Sequence, residues 1–169
     1  CYASLITFDH RASNAWLNTE TTNDDRRDVR FLSEGAKITD VPKLGDDNYN
    51  PRGMTNLYDA IGMTIQHMED LTKFAEDPTV IIMINTDGDE NCSKEFTATA
   101  IKDLIAAKKK QNWEFIFIAE ELGASQTRGM ASAMGIDASM TINVTGATRS
   151  AMFKNMSDAT KLYSADAST

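Results

Sequence analysis

The sequence is short of cysteine, proline and positive charge, and each shortage excludes something. Two cysteines, Cys1 and Cys92, cannot build a disulfide framework, so a reducing compartment, the cytoplasm, is expected. Those two cysteines and the two histidines, His10 and His67, are scattered without ligand spacing, which argues against zinc. Lys and Arg number 17 against 25 Asp and Glu, a formal net charge of −8. Nucleic acid and an anionic membrane, which need a basic face, are therefore poor partners. No apolar run approaches the roughly 20 residues of a membrane span. With three prolines and a 41% apolar share, the 169 residues suit a single globular domain with a proper core. That domain is expected over 1–163, with a loose tail at 164–169.

The apolar pattern orders the elements. YASLITF (2–8) reads as a strand and SNAWLNT (13–19) as its antiparallel neighbour at an edge. Residues 20–50 read as a long irregular connection, with a short strand in AKITDV (36–41). From Leu57, apolar positions 57, 61, 65, 68, 71 and 74 recur every three or four residues and predict an amphipathic helix, capped by Asn56 with Asp59 in its first turn. TVIIMIN (79–85) is apolar at both alternating sets of positions, as in a central parallel strand covered on both sides. A helix over 94–111, a strand WEFIFIA (113–119), a small-residue helix over 122–135, a strand MTINV (140–144) and a last helix over 147–163 follow. This alternation predicts an α/β fold, with a doubly wound, mostly parallel sheet, helices on both faces and one antiparallel edge strand.

VIIMINTDGDEN (80–91) concentrates Asp87, Asp89 and Glu90 where that strand ends. Ligands of open α/β sheets bind outside the carboxyl ends of the strands, and Asp87, first after the strand, is the least mobile of the three carboxylates. NPRGMTN (50–56) offers a second loop, with Thr55 beside the N-terminus of the long helix. A hydroxyl and a carboxylate are hard oxygen donors, suited to Mg²⁺. The plain structural alternative is that Thr55 and Asp87 are helix cap and turn former. Asp87, Asp89 and Asn91 match the opening of a calcium EF-hand loop, but Cys92 stands where glycine is needed and Ala98 where glutamate is needed. A phosphatase-like reading takes Asp87 and Asp89 as nucleophile and acid, with Glu120 and Glu121 helping to hold Mg²⁺. Asn91 departs from that pattern, and Glu120 and Glu121 read more readily as a solvated helix start.

Taken together, the motifs resemble the von Willebrand factor A (VWA) domain family. RGMTNLYDAIG (52–62) resembles its "GGTPLYDAI" segment, INTDGDEN (84–91) its "ITDGEEN" loop, and WEFIFIAEELGA (113–124) the "WEFLFLGAN" stretch of intracellular prokaryotic and phage members. YASLITFDH is similar to the family's second strand, and the resemblance covers most of 2–144, with about 30 extra residues between 17 and 50. It implies a metal-ion-dependent adhesion site with Thr55 and Asp87 as two of the ligands. The family's remaining ligands come from an Asp-x-Ser-x-Ser loop on a first strand expected ahead of YASLITF. Asp137-Ala-Ser139-Met-Thr141 has nearly those letters but lies before its strand, and Asp166-Ala-Ser168 lies in the tail. The function implied is binding of another protein through an acidic residue, without catalysis. A metal-free structural subunit of a larger assembly, lying within a virion if of phage origin, and a Mg²⁺-dependent phosphatase-like enzyme remain as alternatives. Arg52 is a candidate ion-pair partner for the acidic loop, and Cys92 reads as a small packed residue.

Overall fold

The computed structural model describes residues 2–11, 29–49, 53–148, 150 and 154, and of His10 and Arg11 the backbone alone. These residues form a mixed α/β fold with three α-helices, a three-stranded parallel sheet and a separate antiparallel pair. Strands β5 (Val80–Thr86), β6 (Trp113–Glu120) and β7 (Thr141–Val144) lie side by side in the order β5-β6-β7. Ile82 pairs with Phe115 and Ile84 with Phe117, and Ile118 pairs with Ile142 in the next ladder. Because paired residues share a face, Val80, Ile82 and Ile84 align with Trp113, Phe115, Phe117 and Ala119, and all seven are buried.

Helices α1 (Leu57–Thr72), α2 (Ala98–Lys109) and α3 (Ala124–Ala133) cover that face. Leu57, Ile61 and Ile65 of α1, Ile101 and Ile105 of α2, and Ala131 with Met134 from α3 and its end complete one core cluster. Lys108 continues the inward stripe of α2. Its stem is buried, its ammonium pairs with Glu69 of α1, and it stands 4.9 Å from the Trp113 ring centroid. Gly62 is needed where α1 meets the loop before α2, since a Cβ there would stand 2.6 Å from the Phe96 ring.

The antiparallel pair joins β1 (Tyr2–Phe8) to β3 (Val29–Lys37). Helix α1 rests on both strands, and His67 of α1 lies 4.6 Å from the Phe31 ring and 3.5 Å from Ser4 Oγ. A two-residue strand, β2 (His10–Arg11), pairs with β4 (Gly53–Met54), so the chain beyond β1 meets the chain just before α1.

Several expectations need correction. Among the described residues β1 pairs with β3 and not with the parallel sheet, so the four predicted strands do not form one hydrogen-bonded sheet. The strand over 79–85 is found as β5, but among the described residues it stands at the edge of its sheet, not the centre, and Met83 on its second face is 42% exposed. The described helices all contribute to the one core cluster, and Ile118 and Val144 on the second face are buried as well. The antiparallel strand foreseen at 13–19 lies outside the described residues. Val29–Lys37, assigned to an irregular connection, is a nine-residue strand, and the strand foreseen at 36–41 gives way after Lys37 to a 3-10 turn over Ile38–Asp40. The stripe of α1 stops early: the helix ends at Thr72, and Leu71 and Phe74 are 46% and 89% exposed. Of the helix foreseen over 147–163, Ala147 and Thr148 lie in a turn, Ser150 and Lys154 are helical, and the rest lies outside the described residues. Among the described residues no helix is long and apolar enough to cross a membrane.

Candidate functional site at the strand ends

The acidic loop begins where β5 releases its last residue. Buried Thr86 folds the chain back on itself: its hydroxyl donates to the Gly88 carbonyl at 3.0 Å and accepts from the Gly88 N–H at 3.2 Å. That turn throws Asp87 into solvent at the carboxyl end of the sheet. Thr55 approaches from the loop before α1. Its Oγ1 would stand 2.9 Å from a Cβ at Gly88, so only glycine leaves room for the hydroxyl there. The Thr55 N–H donates to Asn91 Oδ1 at 2.9 Å, and the Asn91 N–H donates to the Thr55 carbonyl at 3.0 Å. The structure therefore brings Thr55 against the residue that follows Asp87.

The remaining polar groups of the loop hold it in place. Glu90 accepts from the N–H groups of Cys92 and Ser93 with Oε1, and from the Tyr58 N–H and the Ser93 hydroxyl with Oε2. Asp59 is buried and accepts three backbone N–H groups, those of Lys94, Glu95 and Phe96, at 2.8–2.9 Å. The N-terminus of α1 is thus capped from outside. Asn56, expected to cap it, makes no side-chain capping bond; Glu90 takes the Tyr58 N–H, and Ser93 Oγ takes that of Asp59 at 3.1 Å. Placing a carboxylate at this positive helix end is also electrostatically favourable.

Two residues that sequence reasoning passed over belong to the same region. Asp9 follows β1 as Asp87 follows β5, and it is only 4% exposed, with the Arg30 guanidinium 3.9 Å away. Tyr49 reaches in from the turn at 45–49, and its phenol is pushed above its ordinary pKa by burial, then by the charges of Asp87 and Asp9, against a lowering by Arg30. The carboxyl ends of β1 and β5 consequently face one region. A carboxylate immediately beyond a strand was the available signal for Asp9; Tyr49 had none, since only tertiary folding carries it there.

Other candidates lie apart. Glu120 accepts from the Asn85 amide, and Glu121, at φ 57°, accepts the Gly146 N–H, so both are engaged along the sheet edge. Asp137 sits at the amino end of β7, paired with Lys109, as its position before the strand implied. Cys92 is half-buried. Arg52, the side chain of His10, and Asp166 with Ser168 lie outside the described residues.

The donors fit Mg²⁺ in kind: a threonine hydroxyl and an exposed carboxylate on adjoining loops are hard oxygens. They fit it less well in number, for among the described residues no three His, Cys, Asp or Glu side chains group to hold a metal ion. The fold and these loops define a mixed α/β protein with an acidic, loop-built site at the carboxyl ends of its strands. Comparison with known proteins gives no matching family model, no matching curated protein and no matching solved structure.

Proposed function

We propose that this chain is a VWA-like module that binds another protein at the Thr55–Asp87 site and is not an enzyme. The observation that carries the reading is the seating of the Thr55 hydroxyl on Gly88, fixed by the Asn91 clamp, beside a carboxylate that the Thr86 turn holds outward. Thr55 and Asp87 are the residues that would hold Mg²⁺, with waters and a further loop completing the shell. Bound there, the ion supplies positive charge to attract a partner carboxylate toward an otherwise negative surface.

Strand pairing also supports the reading. Among the described residues β1 pairs only with β3 and β5 only with β6, while α1 belongs to the core cluster of the parallel sheet and also contacts β1 and β3. The family's first strand, bearing its Asp-x-Ser-x-Ser loop, would occupy the free edges of β1 and β5 and bring that loop to the strand ends where Asp9, Thr55 and Asp87 lie.

A partner retained by the immobilised intact protein in Mg²⁺, released by a chelator and not retained by Asp87→Ala is the expected result. Retention indifferent to both treatments, or sustained hydrolysis of a phosphate ester that is lost in Asp87→Asn, would overturn the proposal.

A further inference from the structure

Beside the Thr55–Asp87 site lies a cavity of about 280 Å³, lined by Leu57, Tyr58, Asp89, Glu90, Met130 and Met134. We infer that this cavity receives the basic side chain, lysine or arginine, of the bound partner, next to the carboxylate taken by the main site. The inference rests on the protein-binding reading above and adds the chemistry of the partner.

The lining divides in two. Leu57 and Met134 are fully buried and Met130 half-buried, so the floor is apolar, and two of its three residues are pliable thioethers. The rim carries Asp89 and Glu90 and the phenol-bearing Tyr58. Glu90 is held by its four hydrogen bonds and does not turn away. Asp89 is exposed and gives only Oδ2 to the Gln126 amide, which leaves Oδ1 for an incoming donor.

Among the described residues neither carboxylate is in an ion pair. The ion pairs among the described residues join Arg30 to Asp9, His67 to Glu34, Lys73 to Asp70, Lys108 to Glu69 and Lys109 to Asp137, all elsewhere. Burial, and after it the Glu90 charge, raise the Tyr58 phenol above its ordinary pKa.

An alkyl stem ending in a cation matches both halves, with its methylenes against Leu57 and the methionines and its charge at Asp89 and Glu90. A wholly apolar side chain would bury the floor but desolvate the carboxylates without return. An acidic one would be repelled. The partner segment would therefore carry a basic residue close to its acidic one.

The test uses the intact protein with ¹³C-labelled methionine methyls, Met130 and Met134 being assigned by Met→Leu substitution. Three probes are titrated without Mg²⁺: Nα-acetyl-lysine N-methylamide, the arginine equivalent, and the norleucine equivalent, which keeps the stem and lacks the charge. Saturable shifts of the Met130 and Met134 methyls are expected with a basic probe, with norleucine binding about tenfold more weakly and Asp89→Asn bringing the basic probe toward the norleucine value. Equal response to norleucine and the basic probes, or no saturable shift, would overturn the inference. A separate titration with Mg²⁺ alone reads the backbone amides of Thr55 and Asp87. A methyl response without that amide response leaves the cavity and removes the metal reading; the reverse removes the cavity alone.

Discussion

Thr55 and Asn91 exchange two hydrogen bonds, the Thr55 N–H to the Asn91 side chain and the Asn91 N–H to the Thr55 carbonyl, across 36 residues of sequence. This exchange fixes the loop ahead of α1 against the loop beyond β5, and so fixes the spacing of the two proposed metal ligands. Asn91→Ala removes one bond and leaves its donor to solvent. Chemical denaturation should show a loss of about 1 kcal/mol, with a larger effect on Mg²⁺ affinity than this modest figure suggests. An unchanged Mg²⁺ affinity would mean that the clamp does not set the site.

Gly88 separates stability from function more sharply. In Gly88→Ala the new Cβ would meet Thr55 Oγ1 at 2.9 Å, and the hydroxyl must turn aside. The unfolding midpoint should move little, while Mg²⁺ affinity should fall about tenfold, the loss of one ligand-quality contact. Full retention of affinity would remove Thr55 from the ligand set.

Asp59 supports the same loops from below. In Asp59→Ala the N–H groups of Lys94, Glu95 and Phe96 lose a buried carboxylate, and the expected cost in equilibrium unfolding is roughly 2–4 kcal/mol. For comparison, Phe115→Ala empties a fully buried position between β5 and β7 and should cost about 3–5 kcal/mol. A cost near zero for Asp59→Ala would show that the loop holds without it.

Much of this architecture could be read from residue order. The runs that became β5, β6 and β7 are apolar and short-looped, and Ile101, Ile105 and even Lys108 kept the helical period that buries them. VRFLSEGAK could not be recognised in the same way. Glu34 and Gly35 interrupt its alternation, and most of its positions are only half-buried against one neighbouring strand and α1. Thr55 and Asp87 were visible because each adjoins a helix or strand end. The contacts that unite them were not, since Asn91, Glu90 and Ser93 reach residues more than thirty positions away. The exposed Leu71 and Phe74 show the converse: a period continued in sequence past the point where a neighbour was there to cover it.

Acid should weaken one tie between α2 and the segment after α3. Lys109 donates to Asp137 Oδ2 at 2.7 Å and to the Gly135 carbonyl at 2.9 Å, and the hydrogen bond and charge of Lys109 hold the Asp137 carboxyl below its ordinary value of 3.8. A folded-state pKa below the unfolded one stabilises the fold above pH 3.8, and that contribution is lost as pH falls through the lowered value. The pair is solvent-exposed, so the effect is small. Asp137→Asn should be slightly less stable than the parent at neutral pH and indistinguishable from it in strong acid. A difference that grows on acidification would contradict the assigned sign.

The central claim is that Thr55 and Asp87 belong to a Mg²⁺ site, and calorimetric titration of Mg²⁺ into the intact protein and its Asp87→Ala variant tests it most directly. Two protein ligands, one of them neutral, make a weak site, so the 169-residue segment by itself should bind Mg²⁺ poorly. A longer protein carrying an Asp-x-Ser-x-Ser loop ahead of β1 should bind it well, with binding abolished by Asp87→Ala. Tight binding that survives Asp87→Ala, or no binding by a protein that carries that loop, would contradict the account.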